Sequence, residues 1–362
     1  MTVDAHSYAS RIEQVRSALR AKRADALLVT QLPNVLYLSG FSGDSGYLLV
    51  EQGRTTLFTD GRFAIQAREE APAAKLVLRR GSLAATVGAY LAKTKPVVAY
   101  SPSQLTLSTW QSLRKAAGAK VRWQAQEGLV EALRAIKSPA EVAAIREAGK
   151  LACDVMRDVI ALIRPGVREL DLAAEIGYRI RRKGATGESF DSIVAAGPRS
   201  ALPHARPTDR RIGKNELVVL DLGAILRRYC SDLTRTVFVG RAPARVKRWY
   251  RAVLEAHAAA CEALRPGAQA QDVDRAARQV FDRCKLGRYF VHSTGHGLGL
   301  EIHEDPSLGR GQGTRIQMGS VVTIEPGVYI EGVGGIRIED DAWVTGSGSE
   351  LLTTLGRDLL EL

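Results

Sequence analysis

Across residues 1–137, short apolar runs alternate with stretches whose apolar positions recur at helical spacing. Ala26-Leu-Leu-Val-Thr, Tyr47-Leu-Leu-Val and Thr56-Leu-Phe-Thr read as strands, and Tyr8 to Arg20 and residues 62–71 as helices. The pattern predicts an α/β domain with no ligand-like cluster of its own. A new helix is predicted from Ser138-Pro-Ala-Glu141. Ser138 suits the N-cap, Pro139 the first helical position, and Glu141 completes a capping box. Apolar positions 142, 145, 152, 155, 156, 159, 160 and 163 continue it as far as Pro165-Gly166, where it stops. The boundary therefore falls here, with one domain over 1–137 and a second over 138–362.

The second part repeats itself. Ile163-Arg-Pro-Gly-Val-Arg-Glu-Leu-Asp171 resembles Leu264-Arg-Pro-Gly-Ala-Gln-Ala-Gln-Asp272, 101 residues further on. At a similar offset Phe190 aligns with Phe290, His204 with His303, Asp221 with Glu325 and Asp232 with Glu339. This ordered recurrence predicts an internal duplication in which each half supplies one histidine and two carboxylates. Residues 216–226 and 228–239 read as a hairpin. A turn centred between Leu226 and Arg227 would set Asp221 opposite Asp232, close enough for both to reach the same metal ions. Val321-Val-Thr-Ile-Glu325 ends at Pro326-Gly327, and Ile336-Arg-Ile-Glu339 returns after a glycine turn, repeating the arrangement with Glu325 and Glu339.

Composition narrows the class without defining it. The chain has 362 residues, enough for two domains, and 45% hydrophobic with 25% charged residues is ordinary for a globular protein. Cys153, Cys230, Cys261 and Cys284 form no Cys-x-x-Cys pair, which argues against a disulfide framework or zinc ribbon. No apolar run is long enough to span a bilayer, and Met1-Thr-Val-Asp-Ala-His6 lacks the pattern of a secretion signal. The expectation is a reduced, cytoplasmic protein without a membrane partner. A net charge of +12 raises nucleic-acid binding, but the arginines are dispersed. The densest group, Arg179, Arg181, Arg182 and Lys183, closes a predicted helix, where cations complement its dipole. No nucleic-acid partner is expected.

The chemistry lies in five short segments. They are Leu-Pro-His at 202–204, Val-Leu-Asp-Leu-Gly at 219–223, Ser-Asp-Leu-Thr-Arg-Thr at 231–236, the stretch 291–304 with His292, His296 and His303, and the pair 323–327 and 336–340. Carboxylates gathered closely are costly unless a cation compensates. Asp221, Asp232, Glu325 and Glu339 would balance two divalent ions, with His296 as a neutral fifth ligand. Three histidines among glycines, away from any His-Glu-x-x-His helix, set the stretch apart from helix-borne zinc sites. His6 and His257 lack such company and read as surface or helix residues.

With these residues in place, the chain resembles the pita-bread metallopeptidases, in the aminopeptidase P and prolidase branch. Asp-Leu-Gly-Ala at 221, Ser-Asp-Leu-Thr-Arg-Thr at 231, Gly-His-Gly-Leu-Gly at 295, Ile-Glu-Pro-Gly-Val-Tyr at 324 and Arg-Ile-Glu at 337 match in order. Asn34-Val-Leu-Tyr-Leu-Ser-Gly-Phe-Ser-Gly is similar to a segment of the family's creatinase-like N-terminal domain. The resemblance implies an α/β creatinase-like domain followed by an α+β pita-bread catalytic domain with a pseudo-twofold duplication. It implies two metal ions, usually Mn2+ with Co2+ or Zn2+ as substitutes, held by Asp221, Asp232, His296, Glu325 and Glu339. Oxygen-rich ligation suits manganese. A hydroxide between the ions would be the nucleophile. His204 and His303 would polarise the scissile carbonyl, His292 would help seat proline, and Glu325 would pass a proton to the leaving nitrogen. Arg337 and Tyr329 would orient the inner groups.

The function expected is removal of the N-terminal residue from peptides with proline second, the aminopeptidase P activity, by a homo-oligomer in which a dimer is favoured. The alternative is a strict Xaa-Pro dipeptidase, which must read the substrate's terminal carboxylate; Arg310 and Arg315 are its candidates. A methionine aminopeptidase would not need residues 1–137. Metal-free creatinase and non-catalytic binding relatives have lost ligands that this chain retains.

Overall fold

The computed structural model describes residues 5–94 and 96–362. Residues 1–4 of the segment read for a secretion signal, and the side chain of His6, lie outside the described residues. The chain divides into two compact units, Met1–Arg134 and Ala135–Leu362, just before the boundary expected at Ser138.

The first unit is built on a six-stranded mixed sheet. Its order is Lys75–Leu78, Thr55–Thr59, Gly46–Glu51, Ala26–Val29, Val97–Tyr100, Arg122–Ala125. The three strands expected from their apolar runs lie at its centre, and fully buried Leu48, Leu49, Leu57 and Phe58 explain why. The expected helices are Ala5–Ala21 and a short 3-10 turn leading into Ala64–Glu70.

The second unit begins with the helix Pro139–Ile160, closed at its start by the expected Ser138–Glu141 capping box. The helix stops at Ile160, five residues earlier than Pro165, where the chain tightens and the Leu162 and Ile163 N–H groups bond three residues back, to Val159 O and Ile160 O. The duplication is visible in how the two halves are bonded. Glu169–Arg182 follows the first Arg-Pro-Gly turn, and Ala270–Arg283 the second. The Gly166 N–H donates to Ile212 O and the Gly267 N–H to Ile316 O, both at 2.8 Å. Each half has its own core. The first packs Pro139–Ile160 and Glu169–Arg182 on the sheet Leu233–Val239, Glu216–Leu222, Ile193–Ala196. The second packs Ala244–Ala263 and Ala270–Arg283 on a sheet that includes Gly295–Gly297, Val321–Ile324 and Asp340–Val344.

The hairpin register differs from expectation. Its turn residues are Arg227 and Arg228, both with positive φ (50° and 74°), so Leu226 faces Tyr229. That geometry suits the twist of a two-residue hairpin. Asp221 therefore faces Thr234, and Asp232 lies diagonally across from it. Side chains alternate with period two, so this shift returns both aspartates to the same face.

One glycine fixes how closely the strands meet at the centre. A Cβ on Gly295 would lie 1.9 Å from Thr323 O, inside backbone. Gly295→Ala should destabilise the protein by about 1–3 kcal/mol, as overpacking does. Chemical denaturation of the metal-free variant measures this, and an unchanged midpoint would show that the strands separate freely.

Candidate metal centre

Of the four candidate carboxylates, only Asp221 lies within a strand, although strand positions were expected for all. Asp232 lies just before Leu233–Val239, Glu325 just after Val321–Ile324, and Glu339 just before Asp340–Val344. Pro326 has no N–H to continue a ladder, so pairing breaks beside Glu325. Ile324 faces Asp340 and Gly327 faces Arg337, so the same register holds on both sides of the gap. Glu325 and Glu339 are thus opposite one another, as expected, but their N–H groups turn elsewhere. Glu325 donates to Thr294 O (2.8 Å), and Glu339 to Thr234 O in the other half (3.2 Å). This last bond joins the two halves at the site.

The side chains converge. Donor atoms of Asp232, His296 and Glu339 lie within 4.8 Å of one another. His296 Nε2 is 3.7 Å from Asp232 Oδ2 and 3.6 Å from Glu325 Oε1. Asp221 stands outside the tight trio; its Oδ2 accepts from Arg337 Nη2 at 2.5 Å. Glu339 Oε2 accepts from Thr234 Oγ1 at 2.6 Å. The remaining oxygens, Asp221 Oδ1, Asp232 Oδ1 and Glu339 Oε1, are buried without a hydrogen-bond partner. Buried oxygens left this way are costly in a protein alone and suit metal coordination.

The electrostatics agree. Burial first, then repulsion from Glu339 and Asp221, holds the Asp232 carboxyl well above its usual range. Glu339 is raised in the same way, by burial and then by Glu325 and Asp221. Burial pushes Glu325 up to about 7, with Arg337 pulling against it. The His296 imidazole is pushed down to about 4 by burial and is neutral. Its Nδ1 lies 3.0 Å from Gly297 O, an arrangement that places the proton there and frees Nε2.

A second group surrounds the first. Arg337 Nη1 donates to Tyr329 Oη (2.7 Å) and to Pro203 O (3.1 Å), and Tyr329 Oη lies 2.9 Å from His292 Nε2. His292 Nδ1 is 2.8 Å from Ser293 O. Its imidazole is pushed down to about 4, by burial first and then by Arg337. His303 is exposed, with its ring centroid 4.3 Å from that of His296. His204 is exposed one residue beyond the carbonyl that Arg337 holds.

Sequence reading missed three features here. Asp341, fully buried, accepts the Asp232 N–H (3.0 Å) and adds a fifth carboxylate. Arg235 is buried and donates to Thr234 O, Glu339 O, Asp340 Oδ1, Leu355 O and Gly356 O, clamping a candidate ligand's backbone to the terminal segment. His257 is on a helix but is buried, not on the surface, with Nε2 3.1 Å from Asp340 Oδ2. The run Glu339-Asp-Asp after apolar Ile338 was the available signal.

The paired halves and the carboxylate cluster define a class, and the chain belongs to metallopeptidase family M24, whose model matches residues 143–346. The Creatinase/Prolidase N-terminal domain matches residues 11–136. The chain is 36% identical to the Xaa-Pro dipeptidase of Pyrococcus horikoshii over 353 residues, 97% of this chain and 98% of that one. Among solved structures, the Xaa-Pro dipeptidase from Bacillus anthracis has a TM-score of 0.94 and 36% identity, covering 98% of this chain and 100% of its own. The X-Pro aminopeptidase from Thermotoga maritima has a TM-score of 0.86 and 32% identity, covering 95% and 100%. The family implies divalent metal ions. Among the described residues no helix is long and apolar enough to cross a membrane.

The raised carboxyls give a pH test. An acid whose folded pKa is raised lends stability at low pH that is lost as pH climbs through that value. The lowered histidines act oppositely, but their contribution is complete above their ordinary 6.5. From there to about pH 8 the Tm of chelated protein should fall, and saturating divalent metal should remove the fall. Thermal melts across that range measure it. A flat profile for chelated protein would show these carboxylates already ionised.

Proposed function

We propose that this protein is an Xaa-Pro dipeptidase that works with two divalent ions held by Asp221, Asp232, His296, Glu325 and Glu339. The carrying observation is the set of buried carboxylates beside a neutral histidine, each of Asp221, Asp232 and Glu339 keeping one oxygen unpartnered. The relatives named Xaa-Pro dipeptidases, matched over nearly their full length, favour this substrate class over the aminopeptidase expected from sequence. The four-oxygen, one-nitrogen donor set suits manganese.

Divalent ions bound here would polarise the scissile carbonyl and lower the pKa of water. The chain's own groups do the rest. Glu325 accepts a proton and returns it to the leaving proline nitrogen, which has no N–H of its own. His303 and His204, both exposed, reach toward the substrate and donate to the carbonyl oxygen. His292 is fixed with Nδ1–H on Ser293 O and with Nε2 accepting from Tyr329, so it offers its ring to proline and not a free N–H. Arg337 holds Asp221 and counters the surrounding negative charge.

Of the two arginines considered for the dipeptide carboxylate, Arg315 is committed, donating to Gly267 O at 2.9 Å. Arg310 is exposed and follows Gly309, which packs against Ser293 beside His292. We assign the carboxylate to Arg310.

Metal-reconstituted protein given matched Xaa-Pro and Xaa-Pro-Xaa peptides should prefer the dipeptide. Arg310→Ala should cost the dipeptide about 10–100-fold in kcat/KM, the loss of one charge-assisted bond, with little change for the tripeptide. Arg315→Ala should leave the ratio unchanged. Equal or better tripeptide cleavage would favour the aminopeptidase reading, which the Thermotoga maritima structure keeps open. His303→Ala should lower kcat about 10²–10³-fold without loss of metal, measured by kinetics and elemental analysis. Metal loss in step with activity would make His303 a ligand.

A further inference from the structure

The segment that carries His292 is held from the helix beneath it. Arg278, on the helix Ala270–Arg283, donates through Nη1 to Phe290 O (3.2 Å) and through Nη2 to His292 O (2.6 Å). Its guanidinium carbon lies 4.3 Å from the Phe290 ring centroid. One turn earlier, Asp274 is 1% exposed and receives Arg278 Nε at 2.6 Å and Nη2 at 3.1 Å. Asp274 Oδ1 also accepts from Thr294 N (3.2 Å) and Thr294 Oγ1 (2.9 Å). The pair therefore grips the chain on both sides of His292 and Ser293. Thr294 O in turn accepts the Glu325 N–H, so the grip extends to a candidate ligand.

The first half meets the same need with different residues. Glu169, fully buried at the start of Glu169–Arg182, accepts from Ala196 N (2.9 Å), Thr208 N (3.0 Å) and Thr208 Oγ1 (2.7 Å), and pairs with Arg199 Nε at 3.1 Å. The stretch it brackets carries His204. Each half thus anchors its own histidine-bearing loop on a buried acid of its second helix paired with a partly exposed arginine.

We propose that Asp274 and Arg278 are positioning residues for His292, an inference that rests on the Xaa-Pro peptidase reading of the site. His292 has both ring nitrogens committed, so its ring follows the Ser293 carbonyl and its own backbone. A displacement of about 1 Å at such a group costs on the order of 10²-fold in rate. Only a guanidinium can keep a bidentate carboxylate pair and two carbonyls together; a lysine in its place keeps the charge and loses the fork.

The test combines kinetics with a measurement that needs no activity. Arg278→Lys and Asp274→Asn are compared with wild type and with His292→Ala, alone and combined, on an Xaa-Pro dipeptide with manganese. Arg278→Lys should lower kcat/KM about 10–100-fold with bound metal unchanged, and it should cost nothing further in the His292→Ala background. In metal-free protein, hydrogen exchange at the Thr294 and Glu325 amides should quicken while Tm changes little. Wild-type kinetics with wild-type exchange, or losses that add in the double variant, would overturn the assignment. If wild type cleaves no Xaa-Pro peptide, the functional reading fails separately, and exchange alone decides the clamp: quickened supports it, unchanged overturns it. Should Arg278→Lys not fold, Asp274→Asn, which keeps an acceptor for Thr294, is read by the same criteria.

Discussion

Everything at the centre of this protein depends on holding carboxylates together out of water. Asp221, Asp232, Glu325, Glu339 and Asp341 share one buried region, and burial raises four of them before their mutual repulsion is counted. Arg337 is the buried cation set against them, and its own pKa is driven far up by the surrounding oxygens despite the opposing effect of burial. The fold keeps one oxygen of Asp221 and one of Glu339 hydrogen-bonded, and leaves the other on each bare. Such an arrangement is stable only with a cation or with protons on the acids.

The architecture serves that constraint by interruption. Regular ladders bring the strands in at fixed register, carry Asp221 and His296 within them, and stop beside Asp232, Glu325 and Glu339. Pro326 ends one pairing, and the freed Glu339 N–H crosses to Thr234. Two cores, one per half, hold the elements on either side. The duplicated turn bonds at Gly166 and Gly267 show that the halves follow one plan, while their clamps, Glu169 and Asp274, occupy different helical positions. Conservation of plan with exchange of parts is what packing permits when only the loop position is constrained.

Much of this was legible along the chain because the informative residues were local. The capping box at Ser138, the strand endings before Pro326 and the repeated Arg-Pro-Gly turns each depend on neighbours in sequence. The hairpin register was not legible. Arg227-Arg228 carries none of the Asn-Gly chemistry that announces a left-handed turn, so the centre was placed one residue early. Asp274, Arg278, Asp341 and His257 were missed because their roles arise from distant contacts. An acid on an amphipathic helix looks solvated until the loop that covers it is known. The sequence reading favoured the aminopeptidase on overall resemblance alone, because Arg310, the residue proposed to decide dipeptide binding, is exposed on a glycine-rich loop whose reach no local pattern fixes.

The Arg235 clamp has a consequence in time. The chain emerging during synthesis carries all five candidate ligands once Glu339 has passed. Arg235 cannot yet complete its bonds, because its partners Leu355 O and Gly356 O come later. The last residues also bond along the strand Leu233–Val239, with the Phe238 N–H donating to Leu360 O at 2.9 Å. The candidate ligands therefore all precede the residues that complete the clamp, although the Glu339 N–H already has Thr234 O and its carbonyl has Arg235 Nη1. Fixing of the candidate site is thus coupled to docking of residues 355–362 along the strand Leu233–Val239.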